Sequence, residues 1–173
     1  MAQTAEHQGL PAPAFDQPPR VLVVAAPFHR AIADDLIRGA TAALAAAGAE
    51  SETLEVPGAL EIATAIRLAS DSGRYEGYVA LGCVIRGETT HYETVCEESA
   101  RGLTLLGVER GLAIGNGVLT VENEAQATAR ARPEEMDKGG GAAIAALHLI
   151  ALARRFRAPR GSFRPDDEHL LLA

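Results

Sequence analysis

At 173 residues, with 47% hydrophobic and 23% charged residues, the chain is long enough for one domain with a sizeable core and has the composition of a globular protein. Its formal net charge of −7 gives it no general attraction for nucleic acid or an anionic membrane, so any anion it binds must be held by a local site. Trp is absent and aromatics make up 4%, which favours close packing of small residues over a large aromatic core.

Residues 1–19 carry Pro11, Pro13, Pro18 and Pro19 among small and polar residues and read as a flexible arm. Order is expected to start at Val21-Leu22-Val23-Val24-Ala25-Ala26, an apolar run suited to a strand buried on both faces. Pro27-Phe28-His29 breaks it. Ile32, Leu36, Ala40, Ala43, Leu44 and Ala47 then follow helical spacing, with Gly48 as the stop. Glu52 to Val56 is read as a second strand, ended by Pro57-Gly58. Leu60, Ile62, Ala63, Ile66 and Ala69 give a second helix, closed by Ser70-Asp71-Ser72-Gly73. The third strand, Tyr78 to Ile85, is the clearest. A polar loop, Arg86 to Thr90, leads into a helix from His91 to about Gly107. Leu112 to Thr120 is the fourth strand, Glu124 to Arg132 a helix stopped by Pro133, and Lys138 to Arg157 the last helix. The folded domain is expected over 20–158, followed by a tail over 159–173.

Strand–helix alternation of this kind implies right-handed crossovers and a parallel sheet covered on both faces. The fold class is therefore α/β, a flavodoxin-like three-layer sandwich with a four-stranded parallel sheet. Cys83 and Cys96 form no CxxC pair and no metal spacing, and are read as buried free thiols on a strand and a helix. The N-terminus lacks a basic segment followed by an apolar run, and the longest apolar stretch, Ile144 to Ala153, is too short to span a bilayer. The expected compartment is the cytoplasm.

In open α/β sheets ligands bind at the carboxyl ends of the strands. Those ends deliver Phe28 and His29, then Gly58, Ala59 and Glu61, then Gly87, Glu88, Thr89, Thr90 and His91, and finally Thr120 with Asn116 upstream. Gly87 to His91 precedes a helix, so its backbone N–H groups are unpaired and the helix dipole adds positive potential; two Thr hydroxyls can donate to a phosphate. Ordinary N-capping by Thr explains part of the same pattern. His91 is suited to proton transfer near neutral pH, or to a surface cap; His29 is a second candidate. His7 and His169 fall in the expected tails and His148 in a helix, and none is given a role. Phe28 is either core or a stacking surface for a flat heterocycle. Glu61 either compensates a helix dipole or accepts hydrogen bonds from a polyhydroxy chain. Arg130 and Lys138 bracket Pro133, as solvated charges or as the cations that a phosphate site in an acidic protein needs.

Four segments, Pro57-Gly58-Ala59-Leu60-Glu61-Ile62, Gly82 to Tyr92, Gly117 to Asn123 and Asp137-Lys138-Gly139, in this order and spacing resemble the lumazine synthase family from Val21 to Arg157. The resemblance implies a pentamer, or pairs or a sixty-subunit cage of pentamers. It implies condensation of 5-amino-6-ribitylaminopyrimidine-2,4-dione with 3,4-dihydroxy-2-butanone 4-phosphate to 6,7-dimethyl-8-ribityllumazine, with loss of phosphate and water and with no metal or other cofactor. By resemblance Phe28 stacks on the pyrimidine, and Ala59 and Glu61 hold the ribityl chain with backbone at Cys83, Val84 and Ile85. Gly87, Glu88 and Thr89 hold the phosphate end, and His91 transfers protons. Arg130 and Lys138 reach into the neighbouring subunit's site. Asn116 stands where the family often has Phe, and Gly141 where it often has Glu. The rival readings are a flavodoxin-like protein that carries a flavin or lumazine without making it, a second-copy synthase of weak activity, and a purely structural cage protein.

Overall fold

A computed structural model describes residues 10–157 of the chain. Its elements are β1 (Arg20–Ala25), α1 (Arg30–Ala46), β2 (Glu50–Glu55), α2 (Ala59–Ser70), β3 (Gly77–Ile85), α3 (His91–Arg110), β4 (Ala113–Val121), α4 (Glu124–Ala131) and α5 (Lys138–Arg157). The strands are all parallel, in the order β2-β1-β3-β4, which is the flavodoxin-like arrangement that the alternation implies. β1 and β3 take the middle because their residues are apolar on both faces.

From β1 the chain steps one way to β2, then back through β3 to β4. Right-handed crossovers send the helices of opposite steps to opposite faces. Accordingly α1, α4 and α5 pack together on one face, and α2 and α3 on the other. Val21, Val23 and Ala25 of β1 meet Leu36, Leu44, Leu147 and Ile150, while Leu22, Val24 and Ala26 meet Ile62, Ile66 and Leu103.

Small residues let α5 sit deep in the first of these layers. A Cβ on Gly115 of β4 would stand 1.8 Å from the Ala142 carbonyl oxygen, and one on Gly139 would stand 2.1 Å from that of Leu36. Neither contact leaves room for a side chain.

Most element ends fall within a residue of the sequence reading, and two differ by more. β2 starts at Glu50, where it comes into register with Arg20, and all six of its residues are exposed, as an edge strand allows. α3 runs past Gly107 to Arg110 and ends on Gly111, whose φ of 64° supplies the left-handed stop. Of the expected arm, residues 1–9 lie outside the described residues, and so does the expected tail over 159–173. From Leu10 to Pro19 the chain has no helix or strand and packs along α5. His148 Nε2 is 3.0 Å from the Pro11 carbonyl oxygen, Arg154 donates to the Gln17 carbonyl at 2.9 Å, and its guanidinium lies 5.1 Å from the Phe15 ring centroid. Among the described residues no helix is long and apolar enough to cross a membrane.

Candidate active site

The strand order reverses between β1 and β3, and a cleft of about 450 Å³ opens beside their carboxyl ends. Phe28 and His29 line it after β1, and Pro57 to Glu61 after β2. Cys83, Val84 and Ile85 line it at the end of β3, followed by Gly87, Thr89, His91, Tyr92 and Val95.

Each wall has a local cause. Pro27 ends β1 and leaves Phe28 79% exposed, with its ring edge-on to His29 at 5.2 Å between centroids. Such an aromatic surface stacks on a flat ligand. Gly58 is the extended N-cap of α2, and the Glu61 carboxylate folds back over it. A Cβ at position 58 would stand 2.9 Å from Glu61 Oε2, so glycine gives the carboxylate its place at the helix start. Cys83 is buried, and that burial pushes its thiol up to about 11, which makes it a neutral wall. Cys96, read from the sequence as buried, is half-buried: it lies on α3, which covers the sheet only along one stripe.

At the start of α3 the Thr90 hydroxyl makes no capping bond, and Thr89 Oγ1 accepts only a long bond of 3.4 Å from the His91 N–H. Capping by threonine therefore accounts for little of this loop. Gly87 has open space where a Cβ would stand. Arg86, just before it, donates from Nε to Glu122 Oε2 at 2.7 Å and from Nη1 to Glu93 Oε1, and stacks 4.2 Å from the Tyr92 ring centroid. The Arg86 hydrogen bond holds the Glu93 carboxyl below its ordinary range.

Six residues singled out in the sequence do not line the cleft: Glu88, Thr90, Asn116, Thr120, Arg130 and Lys138. Glu88 is exposed on the same loop. Asn116 is exposed on β4, where its Oδ1 accepts from the Val118 N–H at 2.9 Å. Arg130 is half-buried on α4 and donates to the Gln126 carbonyl at 3.1 Å, and Lys138 is exposed at the start of α5. Among the described residues no lysine or arginine lines the cleft. Sequence reasoning missed Pro57, Leu60, Tyr92 and Val95 as wall residues. The available signal was the spacing of Val95, four residues from His91 and three from Tyr92 on one helix, because residues three and four apart share a face. Among the described residues no group of three or more His, Cys, Asp or Glu side chains is arranged to hold a metal ion.

A family model described as 6,7-dimethyl-8-ribityllumazine synthase matches residues 18–154. A 6,7-dimethyl-8-ribityllumazine synthase of Jannaschia sp. (strain CCS1) is 49% identical over 155 residues, covering 88% of this chain and 86% of the relative. Proteins of the same description from Methylobacterium radiotolerans and Novosphingobium aromaticivorans are each 58% identical. They cover 78% and 79% of this chain, and 82% and 98% of their own lengths.

Proposed function

This chain belongs to the 6,7-dimethyl-8-ribityllumazine synthase family, and from that premise we propose that its cleft is one half of an active site shared between subunits. The protein is a transferase. It condenses 5-amino-6-ribitylaminopyrimidine-2,4-dione with 3,4-dihydroxy-2-butanone 4-phosphate to 6,7-dimethyl-8-ribityllumazine and phosphate. A flavin carrier without turnover is not favoured beside relatives described as synthases.

In this reading Phe28 stacks on the pyrimidinedione, and Ala59, Glu61 and the backbone of Cys83, Val84 and Ile85 hold the ribityl chain. Gly87, Glu88 and Thr89 receive the phosphate of the second substrate. The substrate amine attacks the ketone and water leaves to give an imine. Phosphate is then expelled, and ring closure releases a second water. His91 stands at the phosphate loop and moves protons in these steps, a contribution of about 10²–10⁴-fold for general acid–base help. Much of the remaining acceleration is orientation of two reactive partners.

The observation that supports the shared site is that, among the described residues, no lysine or arginine lines the cleft, in an acidic chain whose second substrate bears a phosphate. Arg130 and Lys138 of a neighbouring copy supply that charge, and Asn116 of the same neighbour stands over the ring. The assembly is a closed ring of five, alone or in larger sets, as the family resemblance implies; repeated head-to-tail contacts close into a ring where the rotation between neighbours allows it. The two free thiols, Cys83 and Cys96, favour the cytoplasm as its compartment.

The test mixes two crippled variants, Glu61→Ala and Arg130→Ala, after unfolding and joint reassembly. Random assembly leaves roughly a quarter of shared sites with both halves intact. Lumazine formation should rise well above either parent. Activity at the parental level, with mixed rings confirmed by mass, would place the whole site within one chain.

A further inference from the structure

The loop from Gly87 to Thr90 is exposed along its length, starts on an unpacked glycine and lacks a side-chain cap from Thr90. It has little of its own to fix its shape, yet its N–H groups must face one anion. A single guanidinium ties its two ends together. Arg86, the residue before the loop, pairs with Glu93 in the first turn of α3 and lies over Tyr92. These contacts close residues 87–92 across their mouth. The 2.7 Å bond from Arg86 Nε to Glu122 fastens that closure to the end of β4, and the Arg86 N–H donates to the Val121 carbonyl at 3.0 Å. The anchor is itself fixed. The Glu122 N–H donates to Gln126 Oε1 at 3.0 Å, and the Gln126 N–H donates to Asn123 Oδ1 at 3.0 Å, which caps α4. Arg86 does not line the cleft.

We propose that Arg86 is a positioning residue for the sugar-phosphate half of the reaction: it sets the anion-binding shape of the Gly87–Thr90 loop without touching either substrate. The inference rests on the reading of that loop as the phosphate site. The arrangement uses two different guanidinium nitrogens and the planar face at once. Lysine, with one nitrogen and no plane, reproduces only part of it. Exposed ion pairs of this kind add little to global stability, so loss of Arg86 leaves the fold standing and loosens the loop.

The experiment measures KM for each substrate in the assembled wild-type enzyme, in Arg86→Gln, in Arg86→Lys and in the double variant Glu93→Ala/Glu122→Ala. Misplacing a binding group by a fraction of an ångström is costly, so Arg86→Gln should raise KM for the sugar phosphate about tenfold and that for the pyrimidinedione by no more than about twofold. Its melting temperature should stay near the wild-type value, and Arg86→Lys should recover part of the loss. The double variant keeps Arg86 but removes both partners, and should show the same selective rise. An unchanged KM in Arg86→Gln, or an equal rise for both substrates, overturns the proposal. So does a defect in Arg86→Gln that the double variant lacks, since the guanidinium then meets substrate itself. The phosphate-loop reading fails separately, if Gly87→Ala/Thr89→Ala leaves the sugar-phosphate KM unchanged.

Discussion

On one face of the sheet α1, α4 and α5 enclose a cluster of twenty buried side chains among the described residues; on the other, α2 and α3 enclose eight. The same strands serve both faces, so the difference lies in the helices. α5 contributes Gly139, Gly140, Ala142, Ala143, Ala146, Leu147 and Ile150 to burial, whereas α2 contributes only Ile62 and Ile66. The thinner layer leaves Leu60, Leu68, Leu105 and Val108 exposed, and the exposed Asn116 lies on that face of β4. The closed face is the larger core, although its α5 also leaves Leu149 and Phe156 exposed. The open face has apolar surface to spare, which the proposed ring of copies would cover.

The largest expected effect breaks the closed face outright. Gly115→Ala drives a Cβ to 1.8 Å from the Ala142 carbonyl oxygen, so this variant should lose its cooperative urea transition. Gly82→Ala is the matched control on the open face, where the nearest atom is Ile62 Cδ1 at 3.5 Å. It should unfold within about 1 kcal/mol of wild type. Equal damage from both glycine changes would end the distinction between the faces.

Next comes Leu147→Ala, which removes a fully buried side chain from α5 and should cost about 2–5 kcal/mol in equilibrium unfolding. Leu105, 40% exposed on α3, offers the contrast. Leu105→Glu should leave the secondary structure intact and weaken assembly in sedimentation velocity. An unchanged sedimentation coefficient would show that the open face meets no partner there.

Asn116→Phe sharpens the comparison from the ligand's side. An aromatic ring on the open face of β4 should tighten binding of a lumazine-like ligand by about 1 kcal/mol. Weaker binding with the assembly intact would mean that the Asn116 amide makes a needed polar contact.

The smallest effect sits where the closed layer meets the rim of the sheet. Arg154 of α5 donates to both carboxylate oxygens of Glu76 at 2.8 Å, and this hydrogen bonding lowers the Glu76 pKa against the opposing cost of burial. A lowered folded-state pKa adds stability above the ordinary carboxylate range, and that stability is lost as pH falls through the folded value. The melting-temperature gap between wild type and Glu76→Gln should therefore be largest near neutrality and vanish in acid. Its size stays small, because both side chains are about a third exposed. A gap that widens in acid would mean that Glu76 is held protonated.

Most of the fold was legible in the sequence because it is written in local signals. The apolar runs of β1 and β3, the glycine stops and Pro133 mark elements within a few residues of themselves. β2 was placed two residues late because an edge strand of exposed residues has no apolar pattern to read. In the candidate site, the convergence of Phe28, Glu61 and His91 follows from chain order and the rule of strand ends. The Arg86 clamp was not legible, because Glu122 lies 36 residues away and only the pairing of β3 with β4 brings the two together. The half-burial of Cys96 was missed for a related reason: helical periodicity shows which stripe faces inward, but not how completely the opposite layer is covered.

The amino end of α5 has a bearing on the order in which the molecule is built. It reads Lys138-Gly139-Gly140-Gly141, and each glycine costs a helix about 1 kcal/mol relative to alanine. That turn is a poor helix by itself. It is held because Gly139 sits against the Leu36 carbonyl and because Asp137 Oδ1 accepts from the Gly140 N–H at 3.0 Å. The turn that carries Lys138 should therefore take shape only once α1 has docked on the sheet and brought the Leu36 carbonyl beside Gly139. On the proposed shared site, a chain would then set the turn of its own Lys138 only after its α1 and sheet are in place.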